Sequence, residues 1–230
     1  MEIQDFCRTS NTHLKASLAS CDAIHDMSRW LVTFPTLLHV DIALLFQYTI
    51  SVLEKDNRKT AWVVMHKDDY VSNHILTGAF FSGVSESVKD RISLIICATL
   101  EELSTFVSNE WSQRPDILVF INVASLFQDV LMTELSDTIA SMLALVSLKA
   151  GGKIEQIFVS APEDLVSTSR ARWTQWAEGR VECKLTNTFG NERSQFTVIS
   201  FKGACTPTPA LVVRWDFSGR MTLVGVREWK

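Results

Sequence analysis

The turn between the first predicted strand and the first predicted helix is where this sequence could carry phosphate chemistry. The strand covers residues 30–34, the turn covers 35–42, and the helix opens with residues 43–47. A phosphate-binding loop needs glycine, so that successive backbone N–H groups can turn toward the anion, and usually a lysine for the outer phosphates. No glycine occurs before Gly78, and the turn contains no lysine. The pattern therefore predicts a nucleotide-binding type of strand–turn–helix unit that has lost its phosphate chemistry.

A carboxylate, Asp41, stands in this turn where a cationic or neutral group would be expected. An acidic side chain in the first turn of a helix complements the positive end of the helix dipole. From this pattern alone, we predict that Asp41 is a solvated first-turn residue without an active role.

The composition indicates one ordinary globular domain. The chain has 230 residues, of which 47% are apolar and 21% charged, and it is long enough to bury a sizeable core. A net charge of −4 argues against strong autonomous nucleic-acid binding but allows a local basic patch. The cysteines lack any C-x-x-C pair, which favours reduced thiols over a disulfide framework or a zinc site. They are Cys7, Cys21, Cys97, Cys183 and Cys205.

No other catalytic, metal-binding or targeting motif is recognisable in the sequence. The histidines show no metal-binding spacing, and no G-x-S-x-G or Cys–His nucleophile motif occurs. The first residues lack the basic and apolar regions of a secretory signal, and the most apolar stretch, 36–53, is interrupted by His39, Asp41 and Gln47. We expect a protein that works inside the cell, without a metal site or a membrane-spanning segment.

Strands and helices are predicted to alternate along the first two thirds of the chain. Continuous apolar runs predict buried parallel strands at 30–34, 60–65, 92–97, 117–121 and 154–160. Helical patterns lie between them, at 39–56, 100–113 and 130–149. After Trp176, short runs separated by turn residues predict antiparallel strands at 181–186, 194–201, 210–217 and 221–226. The expected fold is α/β, with a mostly parallel central sheet flanked by helices and antiparallel strands at the C-terminal edge.

This order resembles the core ATPase domain of the RecA/RadA-type recombinases, over residues 31–225. In that family a glycine-rich loop ends in Gly-Lys-Thr and runs into a helix, and Ala43-Leu-Leu-Phe-Gln47 resembles the start of that helix. The match places Pro35 at the first glycine of the loop. It places Val40, Asp41 and Ile42 at the Gly, Lys and Ser/Thr positions.

The acidic positions of the family are degenerate as well. The family's second strand leads into a glutamate that activates water, and the corresponding segment 65–70 places Lys67 there. The metal-supporting strand of the family ends in aspartate, and residues 117–122 resemble it with Asn122 at that position. The resemblance implies a RecA-like core that neither binds nor hydrolyses ATP appreciably, with no catalytic residue and no cofactor.

Residues 1–29 are interpreted as an N-terminal extension or linker and residues 30–230 as the core domain. A short, motif-poor chain of this kind resembles a recombinase paralogue of the Shu-complex type. That resemblance implies a non-catalytic subunit that promotes recombinase filament assembly in homologous recombination repair, in the nucleus or also the cytoplasm. The implied partners are another recombinase paralogue, a zinc-binding partner and the main recombinase.

Single-stranded DNA binding is expected to be weak alone and to appear mainly in the complex. Arg170, Arg172 and Arg180 are the candidates, because they lie in the region that the family uses near DNA. Seven tryptophans offer anchors for protein interfaces, and residues 1–27 are the segment expected to reach a neighbouring subunit.

Two alternatives remain open at this point. One is an active ATP-binding RecA-like ATPase with an unusual loop, and the other is an unrelated α/β enzyme that uses a nucleotide cofactor. The missing glycine counts against both, because the G-x-G-x-x-G loop of dinucleotide-binding enzymes also requires it.

Overall fold

A nine-stranded sheet forms the centre of the described chain. The computed structural model describes residues 3–6, 27–35, 40–73, 78, 81–168, 172–186, 196–202, 210–215 and 221–227. The strands are β1 (Arg29–Phe34), β2 (Ala61–His66), β3 (Ile92–Cys97), β4 (Ile117–Phe120), β5 (Gln156–Pro162), β6 (Gly179–Thr186), β7 (Phe196–Lys202), β8 (Ala210–Trp215) and β9 (Met221–Arg227).

The sheet has two parts that differ in strand direction. Its order is β3-β2-β4-β5-β1-β6-β7-β8-β9. All pairs from β3 to β6 are parallel, and those from β6 to β9 are antiparallel. The predicted fold class is therefore confirmed, and β6 joins the two parts because it is parallel to β1 and antiparallel to β7.

Helices connect the parallel strands. They are α1 (Val40–Lys55), α2 (Lys67–Ser72), α3 (Glu86–Lys89), α4 (Leu100–Ser108), α5 (Val123–Leu126), α6 (Met132–Ala150) and α7 (Glu163–Thr168), with 3₁₀ turns at Ile3–Phe6 and Arg172–Trp176. Thr99 caps α4, since its hydroxyl accepts a hydrogen bond from the backbone N–H of Glu102 at 3.2 Å.

Helix α4 ends earlier than the predicted range 100–113. The ammonium group of Lys149, on α6, donates to the carbonyl oxygens of Ser108 and Asn109 at 2.8 and 2.5 Å. The indole N–H of Trp111 donates to the carbonyl oxygen of Phe106 at 3.0 Å. These bonds satisfy carbonyl groups that a helix end leaves unpaired, and two of them come from a residue distant in sequence.

The core lies in two layers, one on each face of the sheet. Side chains of a strand alternate between its faces, and in β5 Phe158 belongs to one cluster while Ile157 and Val159 belong to the other. Helix α1 covers the first face and helices α4 and α6 cover the second. In the described residues, no helix is long and apolar enough to span a bilayer.

The first described residues pack onto this chain's own core. Phe6 is fully buried, and its ring stacks on Tyr48 at a centroid distance of 4.6 Å and contacts Phe158 and Phe201. Asp5 forms an ion pair with Lys55 at 2.6 Å. The interpreted extension 1–29 thus contacts the core at its beginning, and its last residue belongs to β1. Residues 7–26 lie outside the described parts.

One glycine is required by a close approach between β6 and β1. A Cβ atom at Gly179 would lie 2.3 Å from the ring of Trp30, which is fully buried. The two residues are direct partners across the parallel pair. The absence of a side chain at Gly179 therefore lets the indole lie across the start of β6.

Candidate functional site at the carboxyl ends of the strands

Polar side chains from four neighbouring segments meet where the parallel strands end. Asp41 lies in the first turn of α1, after β1, and Asp69 lies in α2, after β2. Asn122 follows β4, and Ser160 is part of β5. Because β2, β4, β5 and β1 are adjacent and parallel, their carboxyl ends share one edge of the sheet. This edge is where open α/β sheets bind ligands.

A continuous chain of hydrogen bonds links these residues. The hydroxyl of Ser160 donates to Asp41 Oδ2 at 2.6 Å and accepts from the backbone N–H of Asn122 at 2.7 Å. The side-chain amide of Asn122 donates to Asp69 Oδ2 at 3.2 Å and to the hydroxyl of Ser125 at 2.8 Å. Asn122 has a left-handed backbone with φ of 47°, a conformation that asparagine adopts more readily than most residues. The site is thus an internal polar network.

Asp41 is completely buried, with 0% of its surface exposed. Burial raises the pKa of its carboxyl group to about 7, against the lowering effect of the Ser160 hydrogen bond and with a smaller raising effect from Asp69. Its second oxygen, Oδ1, is buried and has no hydrogen-bond partner among the described residues. The prediction of a solvated first-turn residue is therefore wrong. The residues of the first turn of α1 are buried, so Asp41 does not face water.

The other residues of the predicted loop are packing residues or fall outside the description. Val40 and Ile42 are buried in the core cluster of α1, and Pro35 is half-buried directly after β1. Residues 36–39 lie outside the described parts. In the described part of the turn, no side chain therefore offers a cation to a phosphate.

Near the position that the resemblance assigns to the water-activating glutamate, the side chain that faces the polar network is that of Asp69 and not that of Lys67. Lys67 is exposed at the start of α2, whereas Asp69 is buried and reaches Asn122. Sequence analysis thus missed Asp69, and it also missed Ser160. Two adjacent aspartates after β2 were the available signal, but only the orientation of the six-residue helix α2 distinguishes the inward-facing one.

His66 holds a structural position beside this network. Its Nδ1 accepts a hydrogen bond from the backbone N–H of Asp68 at 3.2 Å, which caps α2. Its Nε2 lies 3.3 Å from the carbonyl oxygen of Ala98 and 3.2 Å from the amide nitrogen of Gln128. No group of three or more His, Cys, Asp or Glu residues in the described segments could hold a metal ion.

The three arginines proposed for DNA contact are not brought together by the described structure. Arg170 lies outside the described parts, and only the backbone of Arg172 is described, in a 3₁₀ turn. Arg180 lies on β6 with its side chain about one third exposed, and its Nε is 3.3 Å from Glu182 Oε1. Of the three, Arg180 alone can be placed on a defined surface.

The sheet order and the flanking helices together define an α/β core with the RecA-like fold. The chain is similar to a solved KaiC-like protein, PH0186, from the hyperthermophilic archaeon Pyrococcus horikoshii. The two share 11% sequence identity, the alignment covers 86% of this chain and 89% of that protein, and the TM-score is 0.59. At this identity the likeness shows the fold alone. No family model matches the sequence, and no match is found among curated proteins.

Proposed function

We propose that this protein is a non-catalytic RecA-like subunit that promotes recombinase filament assembly in homologous recombination repair. The observation that carries the non-catalytic part is the buried carboxylate of Asp41, at the position that the recombinase resemblance assigns to the phosphate-binding lysine. The fold supports the RecA-like part. The recombination role rests on the resemblance of the sequence to recombinase paralogues.

The charge of the site opposes nucleotide binding. A phosphate-binding loop places backbone N–H groups and a lysine against the anion. Here the corresponding side chain is a carboxyl group, buried and linked through Ser160 and Asn122 to a second carboxylate, Asp69. In its ionised form Asp41 would repel a phosphate, and in its neutral form it contributes no positive charge. Neither state replaces the lysine.

The position that supports the metal ion in the recombinase family is also altered in a way that opposes nucleotide binding. Mg²⁺ prefers carboxylate, water and phosphate oxygens in an octahedral arrangement. Asn122 offers an amide whose N–H₂ group already donates to Asp69 and Ser125. Lys67, which the resemblance places at the glutamate position, is exposed, and the carboxylate of Asp69 two residues later is bonded to Asn122. The polar side chains thus bond mainly to one another, and among the described residues Oδ1 of Asp41 and Oδ1 of Asn122 are buried without a hydrogen-bond partner. An arrangement of this kind suits a scaffold, whereas a catalytic site would direct these groups to nucleotide and metal.

The proposed role is assembly. Several large apolar side chains are exposed, including Leu131 and Met132 at the start of α6 and Leu148 near its end, and exposed apolar surface is available for protein contacts. We propose another recombinase paralogue, a zinc-binding partner and the main recombinase as the partners, in the nucleus or also the cytoplasm. Single-stranded DNA is proposed to bind mainly when these subunits are together.

Nucleotide titration of the purified chain tests the non-catalytic part. We expect no saturable binding of a fluorescent ATP analogue with Mg²⁺ up to millimolar concentration, because the turn lacks both glycine and lysine. S-adenosylmethionine, titrated in parallel, addresses the cofactor-dependent enzyme alternative. A micromolar dissociation constant for Mg-ATP that disappears when residues 35–42 are replaced would show an active nucleotide site instead.

Co-purification tests the assembly part. The full chain, expressed with a tagged recombinase paralogue and its zinc-binding partner, should elute with them as one species in gel filtration and should increase recombinase loading on single-stranded DNA. A chain that remains a monomer in the presence of these partners, while repair proceeds normally, would contradict the assembly role.

A further inference from the structure

Three cations gather around one carboxylate on the surface of β6 and β7. The ammonium group of Lys202 lies 2.9 Å from Glu182 Oε1 and 2.8 Å from Oε2. Lys184 Nζ is 3.7 Å from Oε2, and Arg180 Nε is 3.3 Å from Oε1. One negative charge thus faces three positive charges. We name Arg180, Lys184 and Lys202 with Glu182 the Glu182 patch.

The sheet fixes the positions of these side chains. Arg180, Glu182 and Lys184 alternate along β6 and share one face, at a spacing of roughly 7 Å for every second residue. Lys202 lies directly across from Arg180 on β7. The other cross-strand neighbours of this face carry no charge, since Arg180 and Glu182 lie opposite Leu31 and Thr33 on β1 and Glu182 lies opposite Ser200 on β7. Within the part of the chain that the structure describes, the patch therefore keeps an excess of positive charge, although the net charge of the whole chain is negative.

Glu182 holds the cations in place without neutralising them. Burial opposes its ionisation, but the hydrogen bond from Lys202 and the charges of Lys202, Arg180 and Lys184 prevail, so the pKa of this carboxyl group is lower than usual. The side chains of Lys184 and Lys202 nevertheless remain 51% and 59% exposed. Their ammonium groups can therefore meet an external anion while they remain near Glu182.

We propose that the Glu182 patch binds the phosphate backbone of single-stranded DNA. The choice of DNA rests on the proposed function, whereas the preference for phosphates rests on the surface itself. Protein interfaces depend on apolar or aromatic anchors, and among the described residues the large apolar side chains that border the patch on this face, those of Leu31 and Phe196, are buried. Cations without an apolar anchor suit a phosphate backbone, which is bound through charge and without reading the base sequence.

The patch also differs from the candidates chosen from sequence. Arg170 and Arg172 are close to each other in the chain, whereas Lys202 reaches Arg180 only because β6 and β7 pair antiparallel. The proposed DNA surface is thus carried by two strands of the sheet, and its cations are Arg180, Lys184 and Lys202.

The test compares two double variants with the same change of charge. K184Q/K202Q removes the two most exposed cations of the patch and retains Arg180 as a partner for Glu182. R58Q/K153Q removes two exposed cations, in the turns that follow α1 and α6. Binding of a fluorescent oligothymidylate to the full chain is measured by anisotropy over a series of salt concentrations, after circular dichroism has shown that each variant is folded.

We expect the wild-type chain to bind at low salt and K184Q/K202Q to bind at least about tenfold more weakly. Each lost phosphate contact reduces the slope of log K against log salt by roughly 0.7, so the slope should fall by about 1.4. R58Q/K153Q should bind like the wild type. Equal affinities of the wild type and K184Q/K202Q would overturn the proposal, as would absence of binding by the wild-type chain at low salt.

Two further readouts separate the possible failures. A polyglutamate peptide that binds more tightly than the oligonucleotide, and that loses its affinity in K184Q/K202Q, would replace DNA with an acidic protein as the ligand. Co-purification of K184Q/K202Q with the proposed partners tests the proposed function separately. If K184Q/K202Q co-purifies with the partners and binds DNA as tightly as the wild type does, only the assignment of the patch is wrong. If no partner binds the wild type, the proposed function fails.

Discussion

At the scale of single residues, burial of the Asp41 carboxyl group carries a large desolvation penalty. A carboxyl group without exposure to water loses its hydration, and one oxygen of this group has no described hydrogen-bond partner. The charged form is disfavoured most, because desolvation penalises ions far more than neutral groups. At the carboxyl ends of its parallel strands the protein therefore holds a group whose charge state changes near neutral pH.

This property gives a pH dependence of stability with a defined sign. The pKa of Asp41 is about 7 in the folded protein against 3.8 as its ordinary value, so the folded state binds more protons between these two pH values. The contribution of Asp41 to stability must then fall as pH rises from about 4 to about 7 and stay low above it. The effect corresponds to about 4 kcal/mol for a shift of roughly three units.

Replacing Asp41 by Asn should remove this dependence. The amide retains the shape of the neutral acid and can still accept the hydrogen bond from Ser160, so Asp41→Asn should be more stable than the wild type, by a larger margin at pH 8 than at pH 5. Urea unfolding at both pH values measures the difference. Asp137→Asn, at an exposed position of α6, is the control and should leave the pH profile unchanged. The same slope in Asp41→Asn as in the wild type would show that another group titrates.

The sequence located part of this site because spacing along the chain predicts where strands end. Asn122 lies at the end of β4 and Asp41 at the start of α1, as their positions in the sequence implied. Burial of Asp41 and the inward direction of Asp69 depend on what packs over them, which a local pattern does not contain. Ser160 lies inside an apolar strand, where its hydroxyl gives no sign of a partner 119 positions away.

At the scale of elements, the short segment Ile3–Phe6 behaves as part of the core. Its aromatic ring fills a space bounded by α1, β5 and β7, through Tyr48, Phe158 and Phe201. This contact bears on the expectation that residues 1–27 reach a neighbouring subunit, because removing that segment also removes Phe6 from the core. Deletion would expose those aromatic rings, so we expect the truncated chain to lose stability as well as any partner contact.

A single substitution isolates this contribution. Phe6→Ala should lower the free energy of unfolding by about 3 kcal/mol, as is typical of deleting a buried aromatic ring. Leu148→Ala, at a position 81% exposed on α6, serves as the control and should change stability little. Thermal or urea unfolding measures both. If Phe6→Ala unfolded like the control, the segment would not be part of the folded core in solution.

Elements that local sequence patterns define were predicted more accurately than elements that depend on contacts with distant residues. The predicted apolar runs at 92–97 and 117–121 match β3 and β4 to within one residue. The expectation that 92–97 is buried is wrong, because β3 lies at the edge of the sheet and only its last residue, Cys97, is buried. The end of α4 was misplaced because Lys149, from another helix, caps it. Helix α2 was not predicted, since six residues are too few for a helical periodicity to emerge.

At the scale of the whole molecule, alternation of strands and helices was sufficient to predict a parallel sheet with an antiparallel end. Short connections, and helices that cross between parallel strands, leave few topologies open. The pairing of Trp30 with Gly179, and the contact of Phe6 with three distant rings, could not be read from sequence. They are long-range consequences of a sheet in which the first strand lies between two late ones.

That position of β1 affects how the chain folds as it leaves the ribosome. Its neighbours β5 and β6 are made long after it, and at about 5–20 residues per second the wait is on the order of ten seconds. Throughout this time an apolar strand has neither of its hydrogen-bonding neighbours, and contacts of such sequence separation also form slowly. A nascent chain that stops before Gly179 cannot complete the centre of its sheet, and its free β1 can pair with other unfolded chains. Synthesis of this protein should therefore depend on chaperones that shield the emerging first strand until the C-terminal third arrives.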